Sequence, residues 1–186
     1  MDTDLAAVTL TEAIYREHVT DPEWLAELVQ NAQRVMPTAS ATTAGMFSLP
    51  ASGGFELGHF CGPTLEVFKQ MIAVTPPAVL HKVFAAGPVV RVTDRINANE
   101  PSWAMVRNQG YSEILGTVCR DVGARGVFLA FHLDRPCALT PIERRRLSRV
   151  SAHVATALRV RASESKVEAV PPGFRSPSFR LICTAR

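Results

Sequence analysis

The chain has 186 residues, 47% hydrophobic and 20% charged, so one core of ordinary composition suffices and a long disordered charged tract is excluded. A formal charge of +3 falls short of the concentrated basic stripe of a dedicated nucleic-acid binder. The acidic opening Met1-Asp2-Thr3-Asp4, with no long apolar run behind it, argues against a signal peptide or membrane span and makes the cytoplasm the expected compartment.

Leu10, Ile14 and Tyr15 mark a short first helix. Asp21-Pro22-Glu23 then reads as a helix start, with Asp21 as N-cap and Pro22 in the first turn. Trp24, Leu25, Leu28, Val29, Ala32 and Val35 recur at three- and four-residue spacing, the stripe of a packed helix that Pro37 ends. Residues 43–49 and 55–60 are apolar runs separated by Pro50-Ala51-Ser52-Gly53-Gly54, so they are expected to pair as antiparallel strands. Leu65, Phe68 and Ile72 predict a helix after Pro63, and Val79, Leu80, Val83 and Phe84 a second after Pro76-Pro77, stopping at Gly87-Pro88.

Val89 to Val92 reads as a strand and Pro101 to Val106 as a short helix carrying Trp103. The runs 111–119 and 127–133, joined through Asp121, Gly123 and Gly126, make a second hairpin. Thr140-Pro141-Ile142-Glu143 combines a capping box with an N-terminal proline, and Leu147, Val150, Val154, Leu158 and Arg161 then follow one face of a long last helix. Strands joined by hairpins predict an α+β fold with a central antiparallel sheet. The first and last helices are expected on one face and the middle helices on the other, with a pocket beneath the middle segment.

Two stretches carry a resemblance: Ile14-Tyr15 with Asp21-Pro22-Glu23-Trp24, and Leu139-Thr140-Pro141 through Leu147, His153 and Leu158. Together they resemble the GAF/PAS-like N-terminal sensor region of LuxR-type transcriptional regulators. The resemblance covers about residues 10–170 and implies a GAF-like domain over residues 1–163 followed by a linker into a helix-turn-helix. Here Pro171-Pro172-Gly173 and Ser176-Pro177 break any helix and nine residues follow Pro177. A helix-turn-helix does not fit, and residues 164–186 read as an irregular tail. The expectation is a sensor region without its own DNA-binding module, either a truncated or frame-disrupted regulator or a stand-alone sensor.

No GxSxG, HExxH, P-loop or GxGxxG element occurs, so catalysis has no positive support. The cysteines Cys61, Cys119, Cys137 and Cys183 lie far apart without a CxxC pair and read as buried free thiols, giving neither zinc site nor redox couple. His59 and Cys61 could share a strand face, but two potential ligands make no metal site. GAF-like domains include free methionine sulfoxide reductases, so a small redox enzyme using Cys61, Cys119 and Cys137 is carried as an alternative, beside a pocketless interaction module. The cyclic-nucleotide and bilin signatures of GAF domains are absent, and no cofactor is expected. The run Glu143-Arg144-Arg145-Arg146 reads as a solvated helix face rather than a phosphate-binding patch.

In the last strand Val127, Leu129, Phe131 and Leu133 share one face, and Phe128, Ala130 and His132 the other. The mixed second face suggests a pocket wall. Phe47, Phe60, Trp103, Tyr111, Phe128 and His132 are the candidate ligand-binding set, with aromatic bulk for an apolar ligand and His132 or the Tyr111 hydroxyl to orient it. A small-molecule ligand, and a homodimer through the C-terminal helix, are the expected partners.

Overall fold

A computed structural model describes residues 3–50, 54–63, 65–85, 87–97, 99–121 and 125–168. In chain order the elements are α1 (Thr3–Ile14), α2 (Asp21–Val35), β1 (Ala41–Ser48), β2 (Glu56–Cys61), α3 (Leu65–Val74), α4 (Pro77–Phe84), β3 (Val89–Arg91), a 3-10 turn (Val92–Asp94), α5 (Pro101–Asn108), β4 (Glu113–Arg120), β5 (Arg125–Leu133) and α6 (Pro141–Glu168). Gly53, Gly123, Cys183 and the proline-rich stretch after Val170 lie outside the described residues.

The start of α2 differs from the sequence expectation by one residue. Thr20, not Asp21, is the N-cap: its hydroxyl accepts from the Glu23 amide while Glu23 accepts from the Thr20 amide at 2.9 Å. Threonine three residues before a glutamate closes the reciprocal box, which Asp21 is not spaced to do. Relieved of capping, the Asp21 carboxylate accepts instead from Arg161 of α6 at 2.9 Å. Tyr111 and Val92 likewise fall just outside the strands expected to hold them, Tyr111 ahead of β4 and Val92 in the 3-10 turn. At the far end α6 continues to Glu168, past the boundary expected at 163.

The five strands form one sheet in the order β2-β1-β5-β4-β3, antiparallel throughout. Residues alternate across it strictly enough to make two cores. On the first face Ala44, Leu115, Cys119, Val127, Leu129 and Phe131 pack against Leu10 and Ile14 of α1, the Trp24 stripe of α2, and Leu147, Val154, Ala157 and Leu158 of α6. On the second, Phe47, Val90, Ile114, Val118, Phe128 and Ala130 meet Phe68 and Met71 of α3, Leu80, Val83 and Phe84 of α4, and Trp103 and Val106 of α5. The order of helices therefore sorts by face as the hairpin pattern requires.

Two devices fit aromatic rings onto the second face. The register opposes Gly45 to Phe128 and Phe47 to Gly126. A side-chain carbon on Gly45 would lie 2.6 Å from the Phe128 ring, and one on Gly126 would lie 2.5 Å from the Phe47 ring, so each ring lies over the glycine across from it. In addition, the β1–β2 register shifts between Gly45 and Phe47, where Leu57 opposes Phe47 and Phe60 opposes Gly45. Three residues apart, Leu57 and Phe60 would point to opposite faces of a regular strand; the bulge brings both to the second core.

Polar clasps hold α6 to the sheet and to the N-terminal helices. Glu143 and Thr140 close the predicted capping box, with the Thr140 amide 2.8 Å from the Glu143 carboxylate. Ser151 donates to the Val118 carbonyl of β4 at 2.9 Å. Near the other end the Arg161 guanidinium lies 5.0 Å from the Trp24 ring centroid and donates to the Val19 carbonyl as well as to Asp21.

Candidate functional site

The second face encloses the candidate site because its three covering helices are short. Proline limits α4 and α5 at their starts, and each ends after eight residues, whereas the opposite face is covered by helices of 12, 15 and 28 residues. Short helices cover less of the sheet than long ones, and space remains over it. An apolar cavity lies there among β4, β5, α3, α4 and the 3-10 turn, walled by Ile114, Val118, Phe128 and Ala130 below and by Phe68, Met71, Leu80 and Val83 above. It holds about 50 Å³ of space for water-sized occupants inside a wider enclosure of about 590 Å³ that includes its mouth. A smaller cavity toward α5 shares Phe68, Met71, Ile114 and His132 with it and adds Tyr111 and Val106.

The structure separates the six expected site residues into two groups. Phe128 and His132 line the main cavity, and Tyr111 and His132 line the adjoining one. The Tyr111 and His132 ring centroids are 4.8 Å apart. Phe47, Phe60 and Trp103 belong to the same core but not to either wall. Phe47 packs on Phe84 and Phe55 at 4.9 and 5.8 Å between centroids, and Phe60 on Phe68 at 5.0 Å, so these rings form the packed layer around the cavity. The sequence reading missed Phe68, Met71, Leu80 and Ile114 as wall residues. Helical spacing marked Phe68 and Leu80, and Ile114 lies within an apolar strand run, but such signals do not tell a cavity wall from a filled core, and Met71 carried none.

His132 is the chemically distinctive member. It is 4% exposed, and its Nε2 lies 3.2 Å from the Thr43 hydroxyl of β1. Its Nδ1 has no hydrogen-bond partner among the described residues. Burial disfavours the charged imidazolium and pushes its pKa down to about 4, so the ring is neutral at physiological pH. The other polar side chain in the main cavity wall, Thr75, is already bonded to the Met71 carbonyl at 2.6 Å. The main cavity is thus apolar apart from Thr75 and this imidazole.

The first face of β4 carries a second polar cluster that the sequence reading did not anticipate. Glu113, 1% exposed, pairs with Arg91 of β3 at 2.6 Å and accepts from the Cys137 amide at 2.9 Å, while Arg91 also donates to the Cys137 carbonyl. The cluster ties the segment leading into α6 to the β3–β4 edge. The available signal was a carboxylate at the start of an apolar strand run, a position that must find a cation once buried.

Two of the described cysteines, Cys61 and Cys119, have raised thiol pKa values. Cys119 is fully enclosed, and burial pushes its thiol up to about 12; burial also raises the Cys61 thiol. Thiolate, the reactive form, is disfavoured at both. Cys61 on β2 and Cys119 on β4 are three strand spacings apart, roughly 14 Å, beyond disulfide reach. Among the described residues no group of His, Cys, Asp and Glu could hold a metal ion, and no helix is long and apolar enough to cross a membrane.

The same arrangement recurs in solved structures of sensor domains. SdiA of Escherichia coli superposes with a TM-score of 0.58 at 13% identity, over 93% of this chain and 73% of that one. CepR2 of Burkholderia cenocepacia, described as an N-acylhomoserine lactone dependent LuxR family transcription factor, gives 0.54 at 17% identity, over 91% and 98%. The phycoerythrobilin-bound GAF domain of a cyanobacterial phytochrome gives 0.54 at 10% identity, over 89% and 98%. SdiA has also been solved in complex with octanoyl-rac-glycerol. No protein-family model matches the chain, and no curated protein matches it. The fold is thus that of GAF-type and LuxR-type sensor domains, as the capping and core motifs implied.

Proposed function

We propose that this chain is a non-catalytic, cytoplasmic signal-sensing domain of a transcription regulator, which binds a small amphipathic molecule in the cavity over the second face of its sheet. The observation that carries this reading is the apolar enclosure closed by His132, whose Nδ1 is buried and unpartnered. The fold neighbours support it, since SdiA has been solved with octanoyl-rac-glycerol and CepR2 depends on an acylated lactone. The candidate contacts are Phe128, His132 and Tyr111, with Phe47, Phe60 and Trp103 forming the aromatic layer behind them.

Strand β4 connects this cavity to an output. Ile114 and Val118 face the ligand side, while the Val118 carbonyl holds Ser151 of α6 and Glu113 holds the segment before α6. Occupation that displaces β4 would therefore shift the population of α6 orientations. A dimer through the outward face of α6 would oppose Arg145, Arg149 and Arg159 of two copies, all exposed, so it is expected only at high ionic strength; sedimentation across a salt series decides.

Thermal unfolding with monooctanoylglycerol and with N-octanoyl homoserine lactone tests the binding reading. At a hundred times the dissociation constant a ligand of the folded state adds about 2.7 kcal/mol, a rise of roughly 5–10 °C in a domain of this size. Indifference to both compounds and to their shorter and longer acyl homologues overturns the reading in favour of a pocketless interaction module.

A further inference from the structure

Every residue lining the main cavity is buried. The smaller cavity shares Phe68, Met71, Ile114 and His132 with it, and its remaining wall includes half-buried Val67 of α3, exposed Gln109 at the end of α5, and half-buried Tyr111. Among the described residues, that rim is where the two cavities meet solvent. The smaller cavity holds about 20 Å³ of space for water-sized occupants, room for one or two waters. An acyl chain therefore passes inward only if a wall side chain moves aside.

Tyr111 is the one ring on the rim, and its centroid is 4.8 Å from that of His132 on the shared wall. Among the described residues its hydroxyl has no hydrogen-bond partner. The backbone on either side is fixed. Ser112 is tied to β5 and the turn after it, its amide donating to the Leu133 carbonyl at 2.8 Å and its hydroxyl to the Asp134 carbonyl. Gly110, at φ +85°, donates its amide to the Arg107 carbonyl at 2.9 Å, and a side-chain carbon placed on it would meet nothing within 4 Å. A half-buried ring with an unbonded hydroxyl and open space beside it can change rotamer without moving strand β4.

We propose that Tyr111 is the gate of the cavity: its ring closes the passage while it rests on His132 and opens it by turning into the space beside Gly110. Its role in ligand entry rests on the ligand-binding reading above, whereas the closure itself is testable without a ligand.

The first arm of the test labels a wall thiol. Ile114→Cys places a sulfhydryl on the wall common to both cavities, and its modification by methyl methanethiosulfonate is followed by peptide mass. Adding Tyr111→Ala is expected to raise the rate at position 114 about tenfold, the factor for a gate open roughly one-tenth of the time. Cys119, at 0% exposure on the opposite face, is expected to keep its original rate. An unchanged rate at position 114, or an equal rise at Cys119 that marks general loosening, overturns the gate.

The second arm follows monooctanoylglycerol binding by stopped flow, with Ile114 intact. Tyr111→Ala is expected to raise the association rate about tenfold and the dissociation rate at least as much, and Tyr111→Phe, which keeps the ring, to match the wild type. An unchanged association rate, with any loss of affinity carried by dissociation, makes Tyr111 a ligand contact only and overturns the gate. If no chain binds while labelling at position 114 still accelerates, the ligand-binding reading falls and the gate stands.

Discussion

The two faces of the sheet are made from the same strands but differ in how completely they close. On the first, Trp24, Leu25, Leu28, Val127, Leu129, Phe131 and Val154 are all at 0% exposure beneath three long helices. On the second, the strand residues Phe47, Val90, Ile114, Val118, Phe128 and Ala130 retain 3–7% beneath three short ones. The first face resembles a filled interior, close-packed by aliphatic knobs and two bulky rings. The second is lined by tilted aromatic rings whose flat shapes leave space between them, and that space is bordered by a buried imidazole, His132, whose Nδ1 has no partner among the described residues. Filled packing is thereby concentrated on one side of the sheet and the cavity on the other, with β4 and β5 belonging to both.

Truncating matched rings three residues apart on β5, one on each face, gives the largest expected contrast. Phe131→Ala should cost about 4 kcal/mol in urea unfolding, because the first face cannot collapse around the void. Phe128→Ala should cost about 3 kcal/mol or less, because Phe60, Phe68 and Phe84 border a space that already exists. Equal losses would mean that the two faces are packed alike.

The second contrast is in pH dependence, which the second face should dominate through His132. With its pKa lowered from 6.5 to about 4 in the folded chain, the ring refuses a proton that the unfolded chain accepts between those values. Stability is therefore expected to fall as the pH drops through that window, by about 3 kcal/mol at most. In His132→Phe that component should vanish, so the difference between the two unfolding profiles from pH 7 to 4 isolates it from the carboxylates. A profile unchanged by the substitution would place the ring in contact with solvent.

The smallest effect concerns the first face and the helix that closes it. Thr140→Ala removes the hydroxyl of the α6 capping box and is expected to cost about 1 kcal/mol, read as a lowered urea midpoint with an unchanged slope. Binding of monooctanoylglycerol should be unaffected, because the cap lies on the face away from the cavity. Weakened binding would show that α6 and the cavity are more tightly coupled than the proposed β4 linkage requires.

Much of the fold could be read from residue order because its signals are local. The Trp24 stripe, the Thr140–Glu143 box and the alternation of Val127 to Leu133 each declare an element within a few residues, and the sorting of helices between two faces followed from hairpin-joined strands. His132 was legible as a polar group on an otherwise apolar face. The N-cap at Thr20 was missed by one residue because Asp21 is an equally good capping type, although the three-residue spacing from Thr20 to Glu23 was there to be read.

What the chain alone determined, then, is the alternation that builds a two-faced antiparallel sheet and the capped helices that cover it. Only the tertiary structure decided that Gly45 and Gly126 make room for opposing rings, that a bulge turns Leu57 and Phe60 to one side, that Glu113 meets Arg91, and that Thr43 reaches His132. Each of these joins residues brought together by strand register or by packing across the sheet. Spacing along the chain does not encode such pairings, because a shift of register by a single residue would exchange every partner.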